Sequence, residues 1–316
     1  MIKGVKLLTV DGQLRSLRMV ATPKPRSGPD RRWPVTPLKE TTLGRSGLRW
    51  SIPIIAFVLA LTSLTGCAID KGSALAADFE EEWAGTPDVV KIDTTDNNTL
   101  PFLGTASGVL ILKDGTSADR VTELANELGK YVAGHDNTTG RITADGITFT
   151  VVANKTRAGK VLALWHSLTD DDRVVNGDIK DAPWKEKTDR WEIKVTAVNQ
   201  AGAMAVFKDM MADGDQHQPL SRVTSLEVST ERGVRPSLRV ETDFNDGFPA
   251  EAIAAYDAVV ARYRVVGATL RRGQATGPAV SIVVADSADL DRAGELARTA
   301  APTLGATIKI TSDVGD

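Results

Sequence analysis

The chain has 316 residues, with 38 basic and 41 acidic side chains and a formal net charge of −3. Its content of 42% hydrophobic and 25% charged residues is that of ordinary globular protein, which excludes a collagen-like or largely disordered chain. The single cysteine excludes an intramolecular disulfide and a zinc site built from several cysteines.

The charge is unevenly distributed along the chain. Residues 1–66 contain eleven basic and three acidic residues, a net charge of +8, so the remainder carries −11. We therefore expect the two parts to face different environments. Residues 1–49 combine five prolines with scattered arginines and lysines, which predicts a basic, proline-rich, disordered segment.

Residues 50–66 form an uncharged, mainly apolar segment that is typical of the h-region of a secretory signal peptide. Basic residues precede it and an acidic stretch follows it. Because excess lysine and arginine stays on the cytoplasmic side, we expect the following part of the chain to lie outside the membrane.

The segment ends in Leu64-Thr65-Gly66-Cys67, which resembles the lipobox of bacterial lipoprotein precursors. The resemblance implies that the Cys67 thiol becomes a diacylglyceryl thioether and that cleavage makes Cys67 the mature N-terminus. It covers residues 45–70, and the following part resembles lipoproteins of Gram-positive, actinobacterial-type bacteria in its Ala, Val, Asp and Arg usage. Two lipid chains on Cys67 would give stable anchoring.

Three alternatives stay open at this point. Cys67 could be a buried, unreactive thiol, or residues 50–69 could be an uncleaved anchor, since about twenty residues cross roughly 30 Å of hydrocarbon. The long basic segment also allows a later translation start, at Met19 or near Arg45.

Residues 67–87 are polar and predict a tether with a short helix at Ala76–Trp83. Beyond them one pattern recurs, in which two strands precede an amphipathic helix. The predicted helices span Ser117–Val132, residues from Asn154 onwards, Ala201–Ala212, Pro249–Arg264 and Ala288–Thr299. Asp145-Gly146 predicts a two-residue hairpin turn, and Thr116 with Asp119 predicts a capping box.

The order of these elements predicts an α+β protein made of tandem ferredoxin-like sandwiches, in which split βαβ units place the helices on one face of a sheet. We expect the first domain at 88–180 and the second at 191–316. The charged, proline-containing segment 181–190 is the predicted linker.

Known catalytic motifs do not occur, and we predict no catalytic residue, cofactor or metal site. Three acidic stretches could hold a divalent ion but are more typical of solvated turns: Asp213–His217, Asp170–Asp172 and Asp93–Asn98. The other histidines, His135 and His166, are far from His217 in the sequence. Arg271 and Arg272 predict strand-edge charges rather than an anion site.

Four tryptophans are candidates for a glycan-stacking surface: Trp83, Trp165, Trp184 and Trp191. The apolar contexts of Trp165 and Trp191 favour core positions, whereas Trp184 lies in the charged linker. The net charge of −11 disfavours nucleic acid as a partner.

The sequence therefore predicts a non-enzymatic lipoprotein of the cell envelope, on the outer face of the cell membrane, that binds or scaffolds an envelope protein. Two alternatives are a solute- or glycan-binding lipoprotein and an envelope enzyme that uses carboxylates not identifiable from the sequence.

Overall fold

The structure is a computed structural model that describes residues 70–100, 103–181, 191–211, 217, 223–243, 247–272 and 279–313. Its helices are α1 (Lys71–Trp83), α2 (Ala118–Gly134), α3 (Lys155–Thr169), α4 (Gln200–Met211), α5 (Ala250–Val260) and α6 (Leu290–Ala300). Its strands are β1 (Val89–Leu100), β2 (Leu103–Leu112), β3 (Thr138–Ala144), β4 (Ile147–Val151), β5 (Val174–Asp181), β6 (Trp191–Ala197), β7 (Val223–Thr230), β8 (Ser237–Asp243), β9 (Val265–Arg272), β10 (Val280–Val284) and β11 (Ile308–Ser312).

All eleven strands form one mixed sheet in which the strand order follows the chain from β1 to β11. Strands on either side of helices α2 to α6 are parallel neighbours, whereas strands joined without a helix are antiparallel. The chain therefore repeats one unit, a hairpin followed by a helical crossover, along the whole sheet.

The prediction of a mixed α+β protein is confirmed, but the tandem ferredoxin-like arrangement is not. A split βαβ unit needs another strand between the two strands that the helix connects. In this sheet β2 pairs directly with β3 across α2, and β4 pairs directly with β5 across α3. The alternation of strands and helices was correct, and the order in which the strands pair was not.

The sheet continues across the segment predicted to be an interdomain linker. Residues 182–190 lie outside the described residues, but the strands on either side of them pair with each other. Ile179 is opposite Ile193, and Asp181 is opposite Trp191. The two predicted domains thus share one sheet.

The hydrophobic core lies on one face of this sheet. Buried and partly exposed residues alternate along β2, β3, β6 and β8. The strand register places the buried ones opposite each other from strand to strand, as in the pairs Leu110–Ile142, Ile193–Leu226 and Leu270–Val280. These residues form a single cluster with the buried residues of all six helices.

The segment predicted to be a tether contains a helix that packs onto this core. Helix α1 is longer than the predicted Ala76–Trp83, and its buried positions include Ala76, Phe79 and Trp83. These positions lie three and four residues apart, which places them on one side of the helix. Phe79 is fully buried against Gly108 of β2, so residues 71–83 belong to the folded part of the chain.

Local signals set several element boundaries. Asp145 and Gly146 both have positive φ and connect the paired residues Ala144 and Ile147, which confirms the predicted two-residue turn. Asn154 caps α3 by accepting a hydrogen bond from the backbone of Arg157. Helix α2 is capped by Ser117 rather than by the predicted Thr116, whose hydroxyl donates to the carbonyl of Lys113.

Candidate functional site

The residues predicted to carry the lipid anchor lie outside the described part of the chain. Leu64, Thr65, Gly66 and Cys67 precede Asp70, where the description begins, so lipidation stays a prediction. Helix α1 starts four positions after Cys67. None of the helices that the structure describes is long and apolar enough to span a membrane.

The sheet face opposite the core, which we call the open face, is polar. The strand register places thirteen charged side chains on it, seven basic and six acidic: Lys91, Asp93, Arg141, Asp178, Lys180, Glu192, Lys194, Glu227, Arg239, Glu241, Asp243, Arg271 and Lys309. Serine and threonine occupy many of the remaining positions. Within the described residues, the helices pack into the core on the other face.

Opposite charges on the open face form ion pairs, both between neighbouring strands and along one strand. In the second half of the sheet Arg239 contacts Glu227 at 3.1 Å and Glu241 at 2.6 Å, and Glu241 also contacts Arg271 at 2.5 Å. Cross-strand pairs of opposite charge stabilise antiparallel sheets by a few tenths of a kcal/mol each, up to about 1. The Arg239–Glu227 pair therefore supports the register of β7 and β8, which are antiparallel neighbours.

Ion pairing also occurs in the first half of the sheet, where it reaches across β4. Arg141 of β3 is hydrogen-bonded to Asp178 of β5, and the register places Asp178 opposite Lys194 of β6. The open face is thus nearly neutral although the chain after residue 66 carries −11. Such a surface offers many hydrogen-bonding groups in fixed rows and little net field, which suits a polar protein surface better than a nucleic acid.

A second cluster of polar groups lies where α3 meets β5. His217 Nδ1 is 2.8 Å from Ser167 Oγ, and His217 Nε2 is 2.7 Å from Asp171 Oδ2. The His217 and Asp171 side chains are only 1% and 7% exposed. The cluster therefore joins the end of α3 and the turn after it to a residue that follows α4.

Arg173 neutralises the buried carboxylate in this cluster. Its guanidinium donates to both oxygens of Asp171, with Nη2–Oδ2 at 2.6 Å, and also to Asp209 of α4 at 2.8 Å. Burial raises the pKa of Asp171, but hydrogen bonds from Arg173 and His217 and the charge of Arg173 outweigh that effect and lower it from 3.8 to about 2. The carboxylate is thus charged at neutral pH.

The order serine, histidine, aspartate is also that of the catalytic triad, in which the imidazole takes a proton from the serine hydroxyl. Here Asp171 is held by the Arg173 guanidinium as well, and the His217 imidazole is enclosed by protein. A nucleophile and its base must also reach a substrate. The arrangement favours a structural role, in which the His217 side chain is held against the end of α3 and the α3–β5 turn.

Sequence reasoning missed this cluster because its members belong to two separate acidic stretches. The sequence predicts one solvated turn that contains Asp171 and another that contains His217, and residues 213–216 lie outside the described residues. The contact joins positions 46 residues apart. Among the described residues, no group of three or more potential metal ligands occurs.

The other two histidines, His135 and His166, each contact a residue four positions away in the sequence. His135 stacks on Tyr131 with ring centroids 3.9 Å apart, and its Nδ1 lies 2.7 Å from the Tyr131 carbonyl. His166 is exposed and lies 3.1 Å from Asp170. His135 and His166 thus take part in local contacts, unlike His217.

The tryptophans that the structure describes are buried. Trp83, Trp165 and Trp191 are each at most 5% exposed, and Trp165 donates its indole N–H to the carbonyl of Ala144. Trp184, the candidate for exposure, lies outside the described residues. Burial of the other three removes them from any glycan-stacking surface.

The arginine pair at the end of β9 lines a cavity of about 220 Å³ with Pro249, Glu251 and Leu304. Arg271 is engaged by Glu241 on the open face, and Arg272 donates to the carbonyl of Phe248 at 2.7 Å. A larger cavity of about 520 Å³ lies between α2 and α3 and is lined mostly by alanine, glycine and two lysines. Neither cavity contains a cluster of acid and base groups that would suit catalysis.

The fold and the open face define a two-layer α+β protein with a core on one side of its sheet and a polar platform on the other. No family model, curated protein or solved structure matches this chain.

Proposed function

We propose that this chain is a lipoprotein of the bacterial cell envelope, held on the outer face of the cell membrane by a lipid on Cys67, and that its folded part binds an envelope protein without catalysis. The sequence Leu64–Cys67, the single cysteine and the opposite charges on either side of it support the anchor. Because α1 begins at Lys71, the folded part would follow the anchor almost directly.

The open face is the observation that carries the binding role. It presents ordered rows of charged, serine and threonine side chains from β1 to β11, and among the described residues the helices lie on the other side. Side chains that are held by cross-strand ion pairs lose little freedom when a partner binds, which lowers the entropic cost of association. The partner that fits is a polar protein surface with interspersed charges of both signs.

The two alternatives have less support from the geometry. A single continuous sheet offers no cleft between two lobes for a solute, and the buried tryptophans leave a glycan without stacking partners at these positions. The Ser167–His217–Asp171 cluster is enclosed and is held by Arg173. We therefore favour protein binding over solute capture and over hydrolysis.

The anchor is tested by replacing Cys67 with Ala in the full chain. The wild type is expected to incorporate labelled fatty acid and to fractionate with membranes, and Cys67→Ala is expected to lose the label. Equal incorporation in both proteins would show that the lipid assignment is wrong. Fractionation of Cys67→Ala then distinguishes two outcomes. A protein that keeps an uncleaved apolar segment stays with the membranes, whereas a protein without any anchor is released from them.

The binding role is tested by placing a photo-crosslinking residue at one of two exposed lysines. Lys194 lies on the open face, and Lys208 lies on α4 on the helical side, so it serves as a matched control. We expect a discrete adduct from position 194 that is lost when Glu227→Lys is added, and none from position 208. Adducts from position 208 alone, or an adduct insensitive to Glu227→Lys, would contradict a binding role for the open face.

A further inference from the structure

We propose that two copies of this chain pair through their β1 strands, side by side and antiparallel about a two-fold axis at Ile92, so that the two sheets become one. This inference concerns the edge of the sheet and is independent of the lipid anchor and of the open face as a binding surface. It rests on the exposed edge of β1, on a groove beside that edge, and on the charges along the strand.

Strand β1 forms the longer of the two edges of the sheet. In the described part of the chain it pairs only with β2, and it runs for twelve residues, whereas β11 at the other edge has five. An edge strand presents unpaired backbone N–H and C=O groups that a further strand can satisfy. The short β11 offers far fewer of these groups.

A groove runs along this edge. A cavity of about 370 Å³ is lined by Glu80, Trp83 and Gly85 on one side and by Val89–Ile92 of β1 on the other. Val90, which lines this groove, is 63% exposed. A strand added to β1 would cover the exposed Val90 side chain and offer partners to the polar groups of the groove.

Trp83 gives a second reason to expect an occupant. The side chain is 5% exposed, and its indole Nε1 has no hydrogen-bond partner within the part of the chain that the structure describes. Buried indole N–H groups are normally satisfied, since an unpaired buried donor is costly. A backbone carbonyl from a strand lying in the groove is the kind of acceptor this position lacks.

The charges along β1 favour a second copy of β1 as the partner strand, and they favour one register of pairing between the two copies. Lys91 and Asp93 lie on either side of Ile92 and are 63% and 47% exposed. In an antiparallel pair that continues both faces of the sheet, opposed residues must share a face, so the two-fold axis passes through a residue position. An axis at Lys91 or at Asp93 would place two like charges opposite each other. An axis at Ile92 instead places Lys91 of each copy opposite the partner's Asp93, which gives two pairs of opposite charge.

The irregularity of β1 is consistent with this selectivity. Its register against β2 shifts between Val89 and Lys91 and again between Asn97 and Leu100. Bulges and charges on edge strands reduce pairing with other strands. Charges exclude only strands that do not complement them. A second copy of β1 is complementary by symmetry, and such two-fold interfaces are the commonest in soluble oligomers.

The test uses the full chain in detergent and follows its mass by sedimentation over a range of concentrations. The wild type is expected to form dimers. Lys91→Asp and Asp93→Lys each place like charges opposite one another and are expected to weaken dimerisation about tenfold or more. The two variants mixed together, and the double variant K91D/D93K, restore opposite charges and should regain the dimer.

Two further measurements fix the geometry. Ile92→Cys should form a disulfide between copies, because directly opposed residues have Cα atoms within disulfide range. Lys309→Asp on β11 is the matched control and should leave the dimer intact. A monomeric wild type, single variants that dimerise as the wild type does, no rescue on mixing, or loss of the dimer in Lys309→Asp would each overturn the proposal. The circular dichroism of the variants at Lys91, Asp93 and Lys309 should match the wild type, since these side chains are largely exposed. Ile92 is partly buried against the core, so the spectrum of Ile92→Cys is compared with that of its reduced form.

Discussion

His217 and Asp171 are 46 residues apart in the sequence, yet His217 Nε2 lies 2.7 Å from Asp171 Oδ2 in a contact almost closed to solvent. The same imidazole contacts Ser167 through its other nitrogen. Both nitrogens are therefore occupied, and the contact joins the α3–β5 turn to His217, a residue that follows α4 in the sequence. Its consequences for stability can be measured directly.

His217→Ala is expected to lower the free energy of unfolding by about 1–3 kcal/mol, because it removes two hydrogen bonds and leaves buried groups of Ser167 and Asp171 without their partner. Urea unfolding followed by circular dichroism measures this change. His166→Ala is the matched control: His166 is 57% exposed, and its contact with Asp170 is at the surface. The control should change stability by less than about 0.5 kcal/mol. Equal effects of the two substitutions would contradict the structural role of His217.

Asp171 predicts a dependence of stability on acid pH. Its folded-state pKa of about 2 is below the ordinary value of 3.8, so the charged form is favoured by folding. The resulting stabilisation is present above pH 4 and is lost as the pH falls from about 4 to 2. Asp171→Asn should lack this component, about 2 kcal/mol at neutral pH, and should show a flatter stability profile between pH 4 and 2. Parallel profiles for the two proteins would show that Asp171 is not the group responsible.

The elements of this fold could be predicted from the sequence, whereas the way they assemble could not. Each helix shows an apolar face and many strands alternate, and these signals are local. Which strands pair depends on contacts between residues that are far apart in the sequence. The sequence alone therefore does not show that β2 lies directly beside β3. The sequence also does not predict that Ile179 pairs with Ile193 across the predicted linker. A charged segment that contains a proline is as typical of a connection between paired strands as of a connection between domains.

The candidate sites show the same difference between features that the local sequence predicts and features that depend on contacts between distant parts of the chain. The alternation of β6 and β8 indicates that one side of each strand is polar, but only the register shows that these sides join into one open face. The aspartates and His217 were recognised as residues that could do chemistry. Their contact was missed because it depends on where the chain returns after α4.

Tyr256 predicts a dependence on alkaline pH. Burial, together with the charge of Asp257, raises the pKa of Tyr256 from 10.0 to about 12. A raised pKa means that folding favours the neutral phenol, so this stabilisation is complete below pH 10 and is lost as the pH rises from 10 to 12. The stability of Tyr256→Phe should therefore fall less steeply than that of the wild type between pH 10 and 12. Denaturant midpoints measured at each pH give this slope for both proteins. An unchanged slope would show that other groups control alkaline unfolding.

Gly108 of β2 and Phe79 of α1 provide a test of the docking of α1, the helix that lies in the predicted tether. A Cβ atom at Gly108 would lie 2.2 Å from Cε1 of the Phe79 ring, which cannot be accommodated without moving α1 or the ring. Gly108→Ala is therefore expected to destabilise the protein by about 1–3 kcal/mol, as overpacked cores do. Gly159→Ala is the matched control, because a Cβ there meets nothing within 4 Å and alanine favours a helix by up to about 1 kcal/mol. Thermal unfolding should thus move in opposite directions for the two substitutions. If Gly108→Ala is neutral, α1 does not pack on β2 as described, and residues 71–83 would then behave as the tether that their polarity suggests.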